Sequence, residues 1–145
     1  EWGLIHELDL AKMQEVYATN VFGATMMAKY VSEVFINQKS GNIINIASTA
    51  ASKGYAQGSI YASSKFALSG LTQCWQAELR RFNVRVMQIN PSEVPTAFGK
   101  EDRVERSLED NKLSPSEISD TVIAALEMNS RGMITELTVI ATNPF

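Results

Sequence analysis

Cysteine and histidine each occur once in this chain of 145 residues, as Cys74 and His6. One thiol cannot form an internal disulfide, and one thiol with one imidazole cannot build a cysteine- or histidine-based metal site. No metal is therefore expected. No apolar run approaches the roughly 18–20 residues that span a bilayer, so no membrane partner is expected either. Neither sign of charge dominates, since 13 Lys plus Arg stand against 16 Asp plus Glu, a net of −3. Nucleic-acid binding calls for a basic face, and this balance argues against it. The start as written shows no signal peptide. With the lone thiol, that gives an expectation of a cytoplasmic protein. What is abundant is apolar: 45% of residues are hydrophobic, which together with the low net charge excludes a disordered chain. The length suits one domain of roughly 100–200 residues.

The pattern along the chain is helix, strand, helix, strand, helix, strand. A first helix is expected over about residues 9–38, with Asp9 as N-cap and Lys39 and Gly41 marking its end. Met13, Val16, Asn20, Gly23, Met27, Val31 and Val34 recur at spacings of three and four and predict one helical face. Asn20 is the odd member, an amide in an apolar stripe that needs a partner if buried. Residues 41–48 (GNIINIAS) read as a short strand, and 84–90 (VRVMQIN) as a second, stopped by Pro91. Between them a helix is expected over 59–82, with Leu68, Leu71, Trp75, Leu79 and Phe82 inward and a small-residue first half. Met13, Met26, Met27 and Met87 read as core filling, and Cys74 as packing. Residues 100–112 are charged at nine of thirteen positions, so they are solvated, as a short helix or a flap. Ser114-Pro115-Ser116-Glu117 is a capping box with proline at the first helical position, opening a helix to about residue 128. Residues 133–141 read as a third strand. This order predicts an α/β fold with a parallel sheet covered by helices on both faces, as one part of a larger doubly wound sheet.

Tyr61 and Lys65 are the first chemical candidates. Four apart on a helix, they share one face. A tyrosine is a poor acid or base at neutral pH because its pKa is about 10. A nearby ammonium could lower that by about three units, which would make an acid–base tyrosine. Spacing alone is weak, because the Tyr and Lys content gives about 0.2 such pairs by chance. Ser48 adds weight. It ends a strand at the carboxyl edge of the sheet, where open α/β sheets place ligands. Its hydroxyl could hold a substrate oxygen beside the tyrosine.

Together these residues resemble the short-chain dehydrogenase/reductase family. The matching stretches are Thr19-Asn20-Val21, 41–50, Tyr61-Ala62-Ser63-Ser64-Lys65 and Asn90-Pro91. Asn20 precedes Ser48 by 28 residues, Ser48 precedes Tyr61 by 13, and Tyr61 precedes Lys65 by four, spacings similar to the family's Asn-Ser-Tyr-Lys tetrad. The resemblance implies a Rossmann-like fold and hydride transfer between NAD or NADP, the latter slightly favoured, and a carbonyl or alcohol. It implies that Tyr61 protonates the carbonyl oxygen, that Lys65 lowers the tyrosine pKa and binds the nicotinamide ribose, and that Ser48 binds the substrate oxygen. Asn20 would hold a water linking Lys65 to solvent. Pro91, Ser92, Val94 and Thr96 would contact the nicotinamide end, and 93–112 would be a substrate flap. Phe98 and Tyr55 would be apolar substrate contacts. It also implies a homodimer or homotetramer, and a small-molecule substrate as partner.

Three departures qualify the match. The family's glycine-rich phosphate turn is absent: Gly54 and Gly58 begin the spacing, but Ile60 stands where the third glycine belongs. The chain is therefore expected to be one partial Rossmann-like domain over 1–145, the C-terminal portion of a longer enzyme and inactive alone. Trp2 would then touch the preceding part. Many members have glycine where Ser92 stands, and the C-terminal VIATNPF differs from the family's usual ending. That departure places the chain in a divergent branch, most similar to the 3-oxoacyl-carrier-protein reductase-like members, and assigns no substrate. Two rival readings are a non-catalytic relative that binds a nucleotide or protein, and a sugar-nucleotide epimerase or dehydratase.

Overall fold

The computed structural model describes residues 3–98 and 102–145. Trp2 and Lys100 lie outside the described residues. Two runs rich in Ile and Val form the central strands, as such residues favour the pleated, half-buried surface of a sheet. β1 (Gly41–Ile46) and β2 (Val84–Pro91) pair in parallel from Gly41 opposite Val84 to Ile46 opposite Ile89. β3 (Glu136–Val139) pairs in parallel with the far edge of β2, giving the order β1-β2-β3. It is shorter than the 133–141 expected.

Helices cover both faces, as expected for a Rossmann-like α/β sheet. α1 (Leu10–Tyr17) is capped by Asp9, whose carboxylate accepts from the amides of Ala11 at 2.8 Å and Lys12 at 3.2 Å. α2 (Ala24–Gln38) and α3 (Ser59–Leu79) pack on one face. There Ala28, Ile43, Trp75, Leu79, Val84 and Val86 form the core, with Phe35 and Leu71 against it. α4 (Pro115–Glu127) opens on the expected capping box, the Ser114 amide donating to Glu117 Oε2 at 2.6 Å. Arg85, pointing to the opposite face of β2, donates to the carbonyls of Leu126 (3.0 Å) and Met128 (2.9 Å). It thereby ties the end of α4 to the sheet, and a cation at a helix C-terminus also suits the helix dipole.

The expected single helix over 9–38 is interrupted. Residues Ala18–Gly23 wind as a π-helix between α1 and α2. Such a wide turn inserts an extra residue into the helical count. Of the inward positions expected after it, Val31 packs against the core, but those expected at Met27 and Val34 fall one residue later. Ala28 and Phe35 therefore meet the core, while Met27 (67% exposed) and Val34 (58%) point away. The expectation that Met26 and Met27 fill the core is corrected by the same shift. Met87 does fill it. Cys74, expected to pack, is exposed.

Other boundaries also differ. Lys39, not a glycine, takes the left-handed conformation that ends α2 (φ 54°). Gly41 instead begins β1, where the Phe35 ring would lie 2.3 Å from a Cβ. The last turn expected of α3 tightens into a 3-10 turn, Arg80–Phe82, closed by left-handed Asn83. Among the described residues, the outer edge of β1 pairs with no strand, and Ile46 is 45% exposed on the face opposite α3. No helix among them is long and apolar enough to cross a membrane.

Candidate active site

The site is built where β1, β2 and α3 meet. α3 is held to the sheet by polar stitches through its apolar face. Asn45 of β1 donates to Thr72 Oγ1 at 2.7 Å, Gln76 donates to the Val86 carbonyl at 3.0 Å, and Gln88 donates to Ser69 Oγ at 3.2 Å. Buried amides with partners cost little, and they fix the helix in rotation and height as apolar packing alone does not. The N-terminal turns of α3 are thereby aimed at the carboxyl end of β1.

β1 ends at Ile46, two residues short of expectation, although Ala47 continues the ladder with a 2.8 Å bond to the Ile89 carbonyl. Ser48 follows in extended backbone. Its Oγ accepts from the Ala50 amide at 3.1 Å and caps a 3-10 turn, Thr49–Ala51. Lys65 reaches back from α3, and its Nζ donates to the Ile46 carbonyl at 3.0 Å. The same Nζ stands 5.7 Å from the centroid of the Tyr61 ring. Phe98 also meets this ring, its centroid 5.3 Å from that of Tyr61 at a tilt of 56°.

These groups line one cleft of about 870 Å³. Ser48, Tyr61 and Lys65 line it, together with Ala47 and Thr49. Pro91, Ser92, Val94 and Thr96 line it from the end of β2, and Tyr55 and Phe98 complete the set expected from the sequence. Ser92 needs no glycine conformation. Its φ is not positive, its amide extends the β2–β3 ladder to the Val139 carbonyl at 2.8 Å, and its Oγ accepts from Ala141 at 3.4 Å. Tyr55 owes its place to Gly58, where a Cβ would stand 2.6 Å from the ring.

Asn20 is the exception. It does not line the cleft. From the π-helical turn its Nδ2 donates to Ser64 Oγ at 3.0 Å, and the fully buried Ser64 hydroxyl in turn donates to the Tyr61 carbonyl at 2.8 Å. Asn20 thus braces α3 one residue before Lys65, and the partner that the sequence demanded for this amide is Ser64.

The electrostatics differ from expectation in one respect. Burial pushes the Tyr61 phenol above its ordinary value, and the Ser48 hydroxyl nearby pulls it the other way. Burial pushes the Lys65 ammonium down. The lowering of Tyr61 expected from Lys65 is not what the fold itself supplies, because the ammonium lies over the ring and spends its hydrogen bond on Ile46.

Three further cleft residues, Lys53, Glu93 and Arg106, were not singled out from the sequence. Arg106 lies in the charged stretch that the resemblance makes part of a substrate flap, and it lines the cleft. It bonds Glu93 at 2.9 Å and Glu109 at 2.8 Å, and Lys112 joins Glu93 at 3.1 Å. Their one signal was position, near Ser48 or just after β2. No group of three His, Cys, Asp or Glu among the described residues could hold a metal ion.

The donor set can be set against a nicotinamide dinucleotide. An ammonium beside a phenol and a hydroxyl, with a backbone loop and Thr96 on the same cleft, matches the chemistry of a ribose and a carboxamide. The residues present fit its nicotinamide end.

Comparison with known proteins agrees with this geometry. The chain is 27% identical over 146 residues to the NADP-dependent 3-hydroxy acid dehydrogenase of Schizosaccharomyces pombe, covering 94% of this chain and 56% of that one. Its fold matches the alcohol dehydrogenase of the archaeon Thermococcus sibiricus, solved with 5-hydroxy-NADP (TM-score 0.87, 22% identity, 97% of this chain and 58% of that one). It also matches a metagenomic short-chain oxidoreductase in complex with NADP (TM-score 0.77, 27% identity, 95% and 56%). The chain spans 56–58% of these three relatives. A family model described as short chain dehydrogenase matches residues 2–107, and with the cleft falling inside that span the chain belongs to the short chain dehydrogenase family.

Proposed function

We propose that the protein of which this chain forms the cleft is an oxidoreductase that interconverts a small carbonyl compound and its alcohol, with NADP as the favoured cofactor. The observation that carries the reading is the convergence of Tyr61, Ser48 and Lys65 on one cleft. NADP is favoured because two of the relatives above were solved with an NADP species and a third is named for it.

The cofactor supplies or accepts the hydride when bound. Tyr61 Oη gives the matching proton to the carbonyl oxygen during reduction and takes it back during oxidation. Hydride plus proton balances carbonyl to alcohol. Ser48 Oγ orients the substrate oxygen, and its tie to the Ala50 amide fixes its own position. Lys65, held to Ile46, presents a cation at the ribose side of the phenol. Asn20, through Ser64, keeps this turn of α3 in register and offers an amide for a water on the path from Lys65 to solvent. Pro91, Ser92, Val94 and Thr96 hold the nicotinamide end, and Phe98 and Tyr55 flank the substrate. A homodimer or homotetramer is part of the same proposal.

The test is Tyr61→Phe in the full-length protein. Carbonyl-dependent NADPH oxidation should be lost while NADPH binding, followed by its fluorescence, stays near wild type. Turnover that survives the substitution overturns the mechanism.

A further inference from the structure

The reaction at Tyr61 does not use all the charge in the cleft. Four Lys, Arg, Asp or Glu side chains line it among the described residues: Lys53, Lys65, Glu93 and Arg106. Three are committed. Lys65 donates to Ile46. Glu93 offers one oxygen to Arg106 at 2.9 Å and the other to Lys112 at 3.1 Å. Arg106 spends its second nitrogen on Glu109 at 2.8 Å. Lys53 has no hydrogen-bond or ion-pair partner among the described residues. It is an exposed ammonium on the lining of the cleft, unpaired among the described residues, in a chain whose net charge is −3.

Its position follows from the same short segment that carries Ser48. The Ser48 cap fixes the Thr49–Ala51 turn, and the Ser52 amide and hydroxyl both return to the Thr49 carbonyl, at 3.3 and 3.1 Å. Lys53 leaves directly from that closed turn. Its place is therefore tied to the group that orients the substrate oxygen. On a cleft that Val94 and Phe98 also line, and whose one carboxylate among the described residues is already paired with Arg106 and Lys112, a cation attracts an anion more strongly than a lysine in open water.

The geometry points to Lys53 as the recognition group for a carboxylate on the substrate. The substrate is then an oxo acid, or the matching hydroxy acid, with its reacting oxygen at Ser48 and Tyr61 and its carboxylate at Lys53. This rests on the reductase reading and adds the charge of the substrate to it.

Matched pairs of substrates test it in the full-length protein with NADPH. Acetoacetate, 4-oxopentanoate and 5-oxohexanoate are each compared with their methyl esters, in wild type, Lys53→Gln and Lys53→Arg. For at least one chain length the acid should be preferred. Lys53→Gln should raise KM for that acid about three- to tenfold, the scale of a partly exposed ion pair. It should leave kcat and the ester unchanged, and Lys53→Arg should restore the preference. Equal KM for acids and esters in wild type, or an acid KM that ignores Lys53→Gln, overturns the inference while the reductase reading stands. Binding of butanoate, followed by ligand-observed NMR, separates the two ideas further. Binding that Lys53→Gln abolishes, without turnover of any pair, supports the anion site and overturns the reductase reading. No binding and no turnover overturns both.

Discussion

The ammonium of Lys65 is anchored to the carbonyl of Ile46, two residues before Ser48, rather than to the phenol of Tyr61. The bond joins α3 to the end of β1 and holds the cation over the tyrosine ring. Lys65→Met should therefore lower kcat/KM by about 100-fold or more, the scale of a lost acid–base contribution. It should also weaken NADPH binding, unlike Tyr61→Phe. Paired fluorescence titration and initial rates on the two variants check this distinction.

Ser48 and burial pull Tyr61 in opposite directions. Burial raises the phenol pKa and the Ser48 hydroxyl lowers it. Oxidation of an alcohol needs the phenolate, so its rate rises with pH through the Tyr61 pKa. Reduction needs the phenol and falls through the same point. Removing the hydroxyl leaves burial unopposed, so Ser48→Ala should move both limbs to higher pH. The pH profile of kcat in the two directions measures the shift, and an unmoved or acid-shifted limb would contradict the assignment.

Glu93 ties the charged segment to the loop after β2. Its hydrogen bond to Arg106, followed by that to Lys112, holds its carboxyl below the ordinary carboxylate range. A depressed folded pKa means that the stabilisation is present above the unfolded value, near 4.3, and is lost as pH falls through the folded one. The side chain is 50% exposed, so its net worth is no more than about 1 kcal/mol. Glu93→Gln should thus leave the global unfolding midpoint nearly unchanged while speeding proteolysis within 102–112 at neutral pH. The wild type should show the same sensitivity only in acid.

Gly41 and Gly54 make a contrasting pair. A Cβ at Gly41 would press into the Phe35 ring at 2.3 Å, whereas one at Gly54 meets nothing within 4 Å. Gly41→Ala should destabilise by about 1–3 kcal/mol through overpacking. Gly54→Ala should fall within about 0.5 kcal/mol of wild type. Urea unfolding of both variants gives the comparison directly.

The parts of this architecture that local chemistry specifies were legible in the sequence. The Asp9 cap, the Ser114 box and the apolar face of α3 through Leu68, Trp75 and Leu79 all follow from side-chain type and spacing. So did the grouping of Ser48, Tyr61 and Lys65, because strand end and helix start fix their approach. The face of α2 was misread, since a π-helical turn leaves no compositional mark and the 3.6-residue count runs straight through it. Lys53 was missed, and Glu93 and Arg106 were read only as part of a flap over 93–112, because loop residues acquire a shared cleft only through tertiary folding.

The wide turn at Ala18–Gly23 acts as a vernier on the helix it interrupts. The brace from Asn20 to Ser64 and the seating of Phe35 in the core are set by one number, the count of residues between them. Substituting any one side chain leaves that count untouched. Deleting a single residue would rotate everything on one side of the cut by about 100° relative to the other. It would thereby set the active-site brace against the core. Chain length in this segment is thus a constraint that scanning by substitution cannot see, and only an insertion or deletion can read it.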